Sequence, residues 1–112
     1  MKEVLILEDK SETRKVLAGL VKEVHSDAVI YEAADEKTAY DIAMKRTIDL
    51  FLVDIILHPQ QHDDVSGGEF AQNIRKVDKY LFTPILIITS MYDPKMCMYS
   101  SVHCYQFIEK PF

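Results

Sequence analysis

Four short, largely apolar stretches recur along the chain, and each ends abruptly in polar or charged residues. They cover residues 4–7, 50–53, 85–88 and 105–108. Apolar stretches of this length, without polar alternation, predict strands that are buried on both faces of a parallel sheet. We expect the strand at 50–53, which runs directly into Asp54, to be the central one.

Segments with apolar residues at helical spacing separate these strands. A first helix is predicted from Ser11, as its N-cap, to Val24. Its apolar stripe consists of Val16, Leu17, Leu20, Val21 and Val24. A less evenly apolar strand at 28–33 is expected nearer an edge, and a second helix starts at Asp35 or Thr38. A polar loop at 58–66, with Gly67-Gly68 as its flexible exit, leads into a further helix predicted at 69–75. After the strand at 85–88, a short helix is predicted to begin at Pro94.

This alternation of strands and helices predicts an α/β fold with a parallel sheet and right-handed crossovers. The carboxyl ends of parallel strands meet at one edge, where ligands bind in open α/β sheets. The residues that follow the four strands therefore belong to one rim: Glu8 and Asp9, Asp54, Thr89, and Glu109 with Lys110.

Length and composition limit the function further. The 112 residues suffice for one domain. The net charge of -5, with no basic cluster, argues against nucleic-acid binding by this domain. We also predict a cytoplasmic location with no membrane contact, because no stretch is apolar over a spanning length and the N-terminus is not a signal peptide. Cys97 and Cys104 are expected to be reduced thiols.

The acids on the predicted rim favour a bound cation. Three carboxylates from Glu8, Asp9 and Asp54 would repel one another by roughly 1 kcal/mol per pair at about 4 Å in water, and by about 4 kcal/mol at an effective dielectric constant of about 20. A set of oxygen ligands with positions left for water suits Mg²⁺ or Mn²⁺. The alternative for each residue alone is an ordinary one, such as a solvated turn acid, a surface lysine or a hydroxyl at the edge of the core.

Taken together, the residues at these strand ends resemble the receiver domain of two-component response regulators over nearly the whole chain. The resemblance rests on Glu8-Asp9 after the first strand, Asp54 after the third, Thr89 after the fourth and Lys110-Pro111 after the fifth. It implies a flavodoxin-like, doubly wound sheet of five parallel strands in the order 2-1-3-4-5. The family more often has two aspartates where Glu8-Asp9 stands.

The resemblance also implies roles for individual residues. Asp54 would accept a phosphoryl group from a sensor histidine kinase, with Mg²⁺, or alternatively Mn²⁺, as the cofactor. The metal ligands would be Glu8, directly or through water, with Asp9, Asp54 and the backbone carbonyl of Ile56. Lys110 would offset charge on the transferring oxygens, and Thr89 and Phe107 would switch the output. Phe107 lacks the hydroxyl of the usual tyrosine.

Several expectations concern the rest of the regulator. The segment at 99–107 resembles receivers attached to LytTR-type DNA-binding domains, which implies a transcriptional output. No helix follows the fifth predicted strand, so residues 1–112 are expected to be a receiver domain from a longer protein. The alternative is a domain that covers the apolar face left by the missing helix by dimerising, so the expected partner is an output domain or a homodimer partner. Ile56 and Met91, which cannot orient an attacking water, predict slow loss of the phosphoryl group.

Two other functions remain open from the sequence. A small Mg²⁺-dependent phosphatase would use Asp54 as its nucleophile, but such enzymes usually carry a second acid two residues later, where this chain has Ile56. A degenerate receiver would act as a protein-interaction module without phosphorylation, and Glu8 and Phe107 are the departures that favour it. We therefore predict a signalling switch, rather than an enzyme that acts on a separate substrate.

Overall fold

The computed structural model describes residues 2–54, 66–89 and 106–109. Its strands are β1 (Glu3–Leu7), β2 (Val29–Ala33), β3 (Leu50–Asp54), β4 (Ile85–Thr89) and β5 (Gln106–Glu109). Its helices are α1 (Ser11–Val24), α2 (Glu36–Lys45) and α3 (Ser66–Arg75), with a 3-10 helix at Asp78–Tyr80. The predicted strands are confirmed, with ends that differ by one residue. The loop from 58 to 65 and the predicted helix from Pro94 lie outside the described residues.

The five strands form one parallel sheet in the order β2-β1-β3-β4-β5. This confirms the predicted flavodoxin-like topology and the central position of β3. Leu7 at the end of β1 pairs with Val53 of β3, so the residues that follow β1 lie beside the end of β3. The edge position predicted for β2 is also confirmed, because only Ala33 of its five residues is buried.

Side chains alternate between two apolar clusters, one on each face of the sheet. Leu5, Phe51 and Ile87 point to the face covered by α2 and α3, and they pack with residues such as Phe70 and Tyr80. The opposite face carries a smaller cluster of Val4, Ile6, Leu17, Leu52 and Ile88. The sheet therefore carries apolar side chains on both faces, with α2 and α3 against one face and α1 against part of the other, as expected of a doubly wound fold.

Two predicted helix starts were wrong. Ser11 is not a capping residue: α1 begins at Ser11, and its N-cap position is Lys10, which makes no side-chain capping bond. Helix α3 begins at Ser66 and includes Gly67 and Gly68, whereas the sequence predicts a helix that begins only at Glu69. Glycine disfavours helices mainly in their interiors, and its cost is smaller in a first turn that has few internal hydrogen bonds.

The start of α2 agrees with the prediction. Asp35 is its N-cap, and an Asp35 carboxylate oxygen accepts a hydrogen bond of 2.8 Å from the backbone N–H of Thr38. A carboxylate at this position satisfies one of the N–H groups that have no partner within the helix and complements the helix dipole.

The predicted apolar stripe of α1 is only partly buried. Leu17 is 6% exposed, whereas Leu20 is 46% and Val24 is 75% exposed. Between α1 and the sheet lies an apolar groove of about 330 Å³, which we call the α1 groove. It is lined by Leu17, Leu20, Val21, Val24 and His25 of the α1 segment and by Leu50, Leu52, Leu86 and Ile88 of the sheet. Among the described residues, no helix covers this part of β3 and β4.

Two buried polar side chains, those of Tyr80 and Arg75, form hydrogen bonds at the end of the sheet opposite the predicted rim. The hydroxyl group of Tyr80 lies within hydrogen-bonding distance of the Ala43 and Arg46 carbonyls. The guanidinium group of Arg75 donates to the carbonyls of Tyr80, Leu81 and Thr83. These bonds hold the end of α2, the 3-10 helix and the segment leading into β4 against one another.

Within the described part of the chain, no helix is both long enough and apolar enough to span a lipid bilayer.

Candidate functional site

Three carboxylates meet at the carboxyl edge of the sheet. Glu8 and Asp9 follow β1, Asp54 ends β3, and ligand oxygens from all three lie within 4.8 Å of one another. Glu8 is fully buried and Asp54 is 4% exposed, whereas Asp9 is partly buried. The alternative that Glu8 and Asp54 are solvated turn acids is therefore wrong for this fold. We call this set the acidic cluster.

The pairing of strands explains why these residues converge. The backbone N–H of Glu8 continues the pairing of β1 with β2 by donating to the carbonyl of Ala33 at 3.0 Å. On the other side, β1 pairs with β3 up to Leu7 and Val53, so the residues that follow them, Glu8 and Asp54, both lie at the rim. Strand pairing on both sides thus sets the position of the acidic cluster.

The side chain of Glu8 is held by its own turn. One of its carboxylate oxygens accepts a hydrogen bond of 3.3 Å from the backbone N–H of Lys10. This contact restricts the direction of the carboxylate in a buried position.

Arg14 in the first turns of α1 contacts the same loop, and we did not predict this. Its guanidinium group donates to the backbone carbonyls of Glu8 and Asp9 at 2.8 and 3.3 Å. Its Nε atom pairs with the carboxylate of Glu32 in β2 at 3.2 Å. The sequence signal that points to it is an arginine five residues after a strand-end acid pair, one turn into the following helix.

The acidic cluster is suited to binding a divalent cation. Mutual repulsion of three carboxylates rises when water is excluded, and two of the three are buried. Its carboxylate oxygens fit the preference of Mg²⁺ and Mn²⁺ for hard ligands, and Asp9 leaves the cluster open to solvent on one side. The structure therefore brings together the three carboxylates that are predicted as cation ligands, Glu8, Asp9 and Asp54.

The other predicted site residues are placed only by their backbone or fall outside the described residues. Asp54 pairs with Ile88 of β4, so Thr89 lies one position further along the neighbouring strand at the same edge. Phe107 lies in β5 opposite Ile87. Lys110, the residue after β5, and Ile56 are outside the described residues, as is Met91. The roles predicted for these residues stay predictions.

Residues 4–112 match the sequence family described as the response regulator receiver domain. Over 112 residues the chain is 27% identical to the sensory transduction protein LytT of Bacillus subtilis strain 168, a match that covers 100% of this chain and 43% of that protein. The chain thus spans less than half the length of this relative.

Solved structures show the same fold. The chemotaxis response regulator CheY4 of Vibrio cholerae is 26% identical, with a TM-score of 0.83 over 100% of this chain and 88% of that one. The response regulator TrrA of Thermotoga maritima, solved in complex with Mg(2+)-BeF, is 23% identical with a TM-score of 0.76, over 100% of this chain and 89% of that one. The latter likeness concerns the fold alone.

Proposed function

This chain belongs to the response regulator receiver domain family, and from that membership we propose that it is a phosphoacceptor switch with Asp54 as the acceptor. Receiver domains are signalling modules that interact with sensor kinases, depend in general on Mg²⁺ and are generally not classical enzymes. The observation that carries the proposal is the convergence of Glu8, Asp9 and Asp54 within 4.8 Å at the carboxyl edge of the sheet.

The proposed reaction is transfer of a phosphoryl group from a phosphohistidine of a sensor histidine kinase. A carboxylate oxygen of Asp54 attacks the phosphorus atom, and a P–O bond forms while the P–N bond to the imidazole breaks. The imidazole leaves with its electron pair and takes up a proton from water. Asp54 thereby becomes an acyl phosphate.

The surrounding residues assist this transfer by position and charge. Glu8, Asp9, Asp54 and the backbone carbonyl of Ile56 are the proposed ligands of Mg²⁺, which when bound supplies positive charge beside the transferring oxygens. Lys110 adds a second positive charge at the same rim. Asp54 is buried, and the lower dielectric constant around a buried carboxylate strengthens these interactions.

The proposed switch is a response to the new phosphoryl oxygens. The hydroxyl of Thr89 moves to donate to one of them, and Phe107 turns into the space that Thr89 vacates. This changes the surface around the fifth strand, which an output domain or homodimer partner senses. We propose a cytoplasmic setting and, from the resemblance of residues 99–107 to receivers attached to LytTR-type DNA-binding domains, a transcriptional output.

Intact mass spectrometry tests the acceptor directly. The protein is incubated with acetyl phosphate and Mg²⁺, and we expect a single phosphoryl adduct that is absent from Asp54→Asn and from samples with EDTA. Asp41→Asn, the same substitution at an exposed position of α2, is the matched control and should keep the adduct.

Failure of this test would have a clear meaning. If the wild-type protein is folded by circular dichroism and gains no adduct, the proposal is wrong and the degenerate, unphosphorylated interaction module becomes the better interpretation. An adduct that persists in Asp54→Asn would instead move the acceptor to another residue.

A further inference from the structure

Arg14 joins three segments behind the acidic cluster. Its side chain is 17% exposed, although it carries a permanent charge, and the side chain of its partner Glu32 is 37% exposed. The guanidinium group reaches from α1 to the Glu8 and Asp9 carbonyls and to the Glu32 carboxylate of β2. Arginine offers several N–H donors in one rigid plane, which a lysine ammonium group cannot reproduce.

One peptide group connects Arg14 to the carboxylate of Glu8. In a trans peptide, the carbonyl and the N–H point in opposite directions. The peptide between Asp9 and Lys10 has its carbonyl 3.3 Å from the Arg14 guanidinium and its N–H 3.3 Å from a Glu8 carboxylate oxygen. If that plane rotates, both hydrogen bonds break together.

We propose that Arg14 is a positioning residue of the acidic cluster, which sets the direction of the Glu8 carboxylate through the peptide between Asp9 and Lys10. Its bond of 2.8 Å to the Glu8 carbonyl fixes the preceding peptide in the same way. The effect on cation binding rests on the proposed function, whereas the effect on the Lys10 hydrogen bond does not.

Charge and geometry predict opposite effects of removing Arg14. A positive charge near three carboxylates opposes the binding of a cation, so its loss alone would tighten binding. Loss of the positioning contacts would weaken binding, and groups behind metal ligands typically contribute about 10–100-fold to affinity. Arg14→Lys keeps the positive charge and loses the planar set of N–H donors, so it separates the effect of charge from the effect of positioning.

The first measurement is the affinity for Mn²⁺, followed by electron paramagnetic resonance of the free ion, with Mg²⁺ competition. We expect the dissociation constant to rise about 10-fold in both Arg14→Met and Arg14→Lys. Glu32→Gln is the matched control, because it removes the salt bridge and leaves both carbonyl contacts of Arg14 in place. We expect it to change affinity by no more than about 3-fold, within roughly 0.65 kcal/mol.

The second measurement needs no cation. In ¹H–¹⁵N NMR spectra recorded in EDTA, the Lys10 amide proton should shift upfield and exchange faster in both Arg14 variants, because its bond to Glu8 is lost. In Glu32→Gln it should stay near its wild-type position. If Arg14 were merely structural, its substitution would lower the free energy of unfolding in urea and leave the Lys10 amide of the folded protein unchanged.

The outcomes separate this inference from the proposed function. Tighter Mn²⁺ binding in Arg14→Met with unchanged binding in Arg14→Lys would overturn the positioning role in favour of charge alone. An unchanged Lys10 amide in both variants would also overturn it. Wild-type protein that binds no Mn²⁺, together with a Lys10 amide that responds to both variants, would support the positioning of Glu8 and refute the cation site of the proposed function.

Discussion

The fully buried hydroxyl group of Tyr80 shows how much one polar atom contributes to this fold. It lies 2.6 and 2.7 Å from the carbonyls of Ala43 and Arg46 and accepts from the N–H of Ile48 at 3.2 Å. Tyr80→Phe leaves these backbone groups without that partner, so we expect it to lower the free energy of unfolding by about 1–3 kcal/mol. Urea denaturation measures this loss.

Tyr40→Phe is the matched control for that substitution. The Tyr40 hydroxyl accepts a hydrogen bond from a side-chain amide at an exposed position, where water can replace it. A loss in Tyr80→Phe no larger than in Tyr40→Phe would contradict the importance of the buried contacts.

A second tyrosine makes stability depend on pH. The Tyr31 hydroxyl donates to the carboxylate of Glu3 at 2.7 Å, and this bond raises the pKa of Tyr31 above its ordinary value of 10.0. A group with a raised pKa stabilises the fold fully below its unfolded pKa and loses that contribution as pH rises through its folded pKa. We therefore expect wild type to lose its advantage over Tyr31→Phe only above about pH 10.

Unfolding in urea at several pH values between about 7 and 11 tests this. The difference between wild type and Tyr31→Phe should be constant at the lower values and should shrink at the upper ones. Tyr40→Phe serves as the control, because the Tyr40 hydroxyl accepts from an amide and does not donate to a carboxylate. A difference that does not vary with pH would refute the role of the Glu3 bond.

Among the helices, α1 contains a site where stability can be gained. Gly19 lies inside α1 and is exposed; apart from its chain neighbours and the backbone of α1 itself, no atom of the described residues lies within 4 Å of the position that a Cβ would occupy. Alanine is favoured over glycine inside helices by about 0.5–1 kcal/mol. Gly19→Ala should therefore raise the free energy of unfolding by about that amount, and Gly19→Ser by less. A loss of stability in Gly19→Ala would show that this surface of α1 is occupied.

Strands and helices differed in how far the sequence predicted them. The buried strands were recognisable because β1, β3 and β4 are apolar on both faces. Helix starts depended on finer contacts. Asp35 caps α2 through a local bond to Thr38, which sequence spacing reveals. Ser11 had the right residue type, but α1 begins there and its first turn is joined instead to the strand-end loop by Arg14.

The sequence predicts the acidic cluster itself, but it does not predict the contacts of Arg14 and Tyr80 that hold the surrounding backbone in place. Glu8, Asp9 and Asp54 follow strands whose pairing is dictated by the topology, so their meeting follows from the fold class. Arg14 and Tyr80 act on backbone carbonyls, which every residue carries, so even where the spacing of an arginine after the acid pair is visible, the sequence does not identify the carbonyls it contacts. Their partners can be identified only once the three-dimensional arrangement is known.

For the domain as a whole, the acidic cluster predicts stabilisation by a divalent cation. A ligand that binds only the folded state stabilises it by about 1.4 kcal/mol at tenfold excess over its dissociation constant and by about 2.7 kcal/mol at 100-fold excess. We expect Mg²⁺ to raise the melting temperature of wild type and of the surface variant Asp41→Asn. It should have no such effect on Asp9→Asn, which lacks one carboxylate of the cluster.

Thermal melts in Mg²⁺ and in Na⁺ at equal ionic strength measure this effect. In EDTA, Asp54→Asn should be more stable than wild type, because the substitution replaces one of three mutually repelling carboxylates with an uncharged amide. Equal responses of wild type and Asp9→Asn to Mg²⁺ would contradict a cation site at the acidic cluster.

The position of β1 between β2 and β3 also has a consequence for the order of folding. The carboxylate of Asp49, the residue before β3, accepts a hydrogen bond from the N–H of Glu3, 46 residues earlier, and β1 pairs with β3 over the same separation. Parallel pairings between such distant segments form slowly, because the intervening chain must be closed first. Asp54 can join Glu8 and Asp9 only after this step. In a refolding experiment, Mn²⁺ binding should therefore appear with the slow closure of the central sheet and not with the early formation of α1.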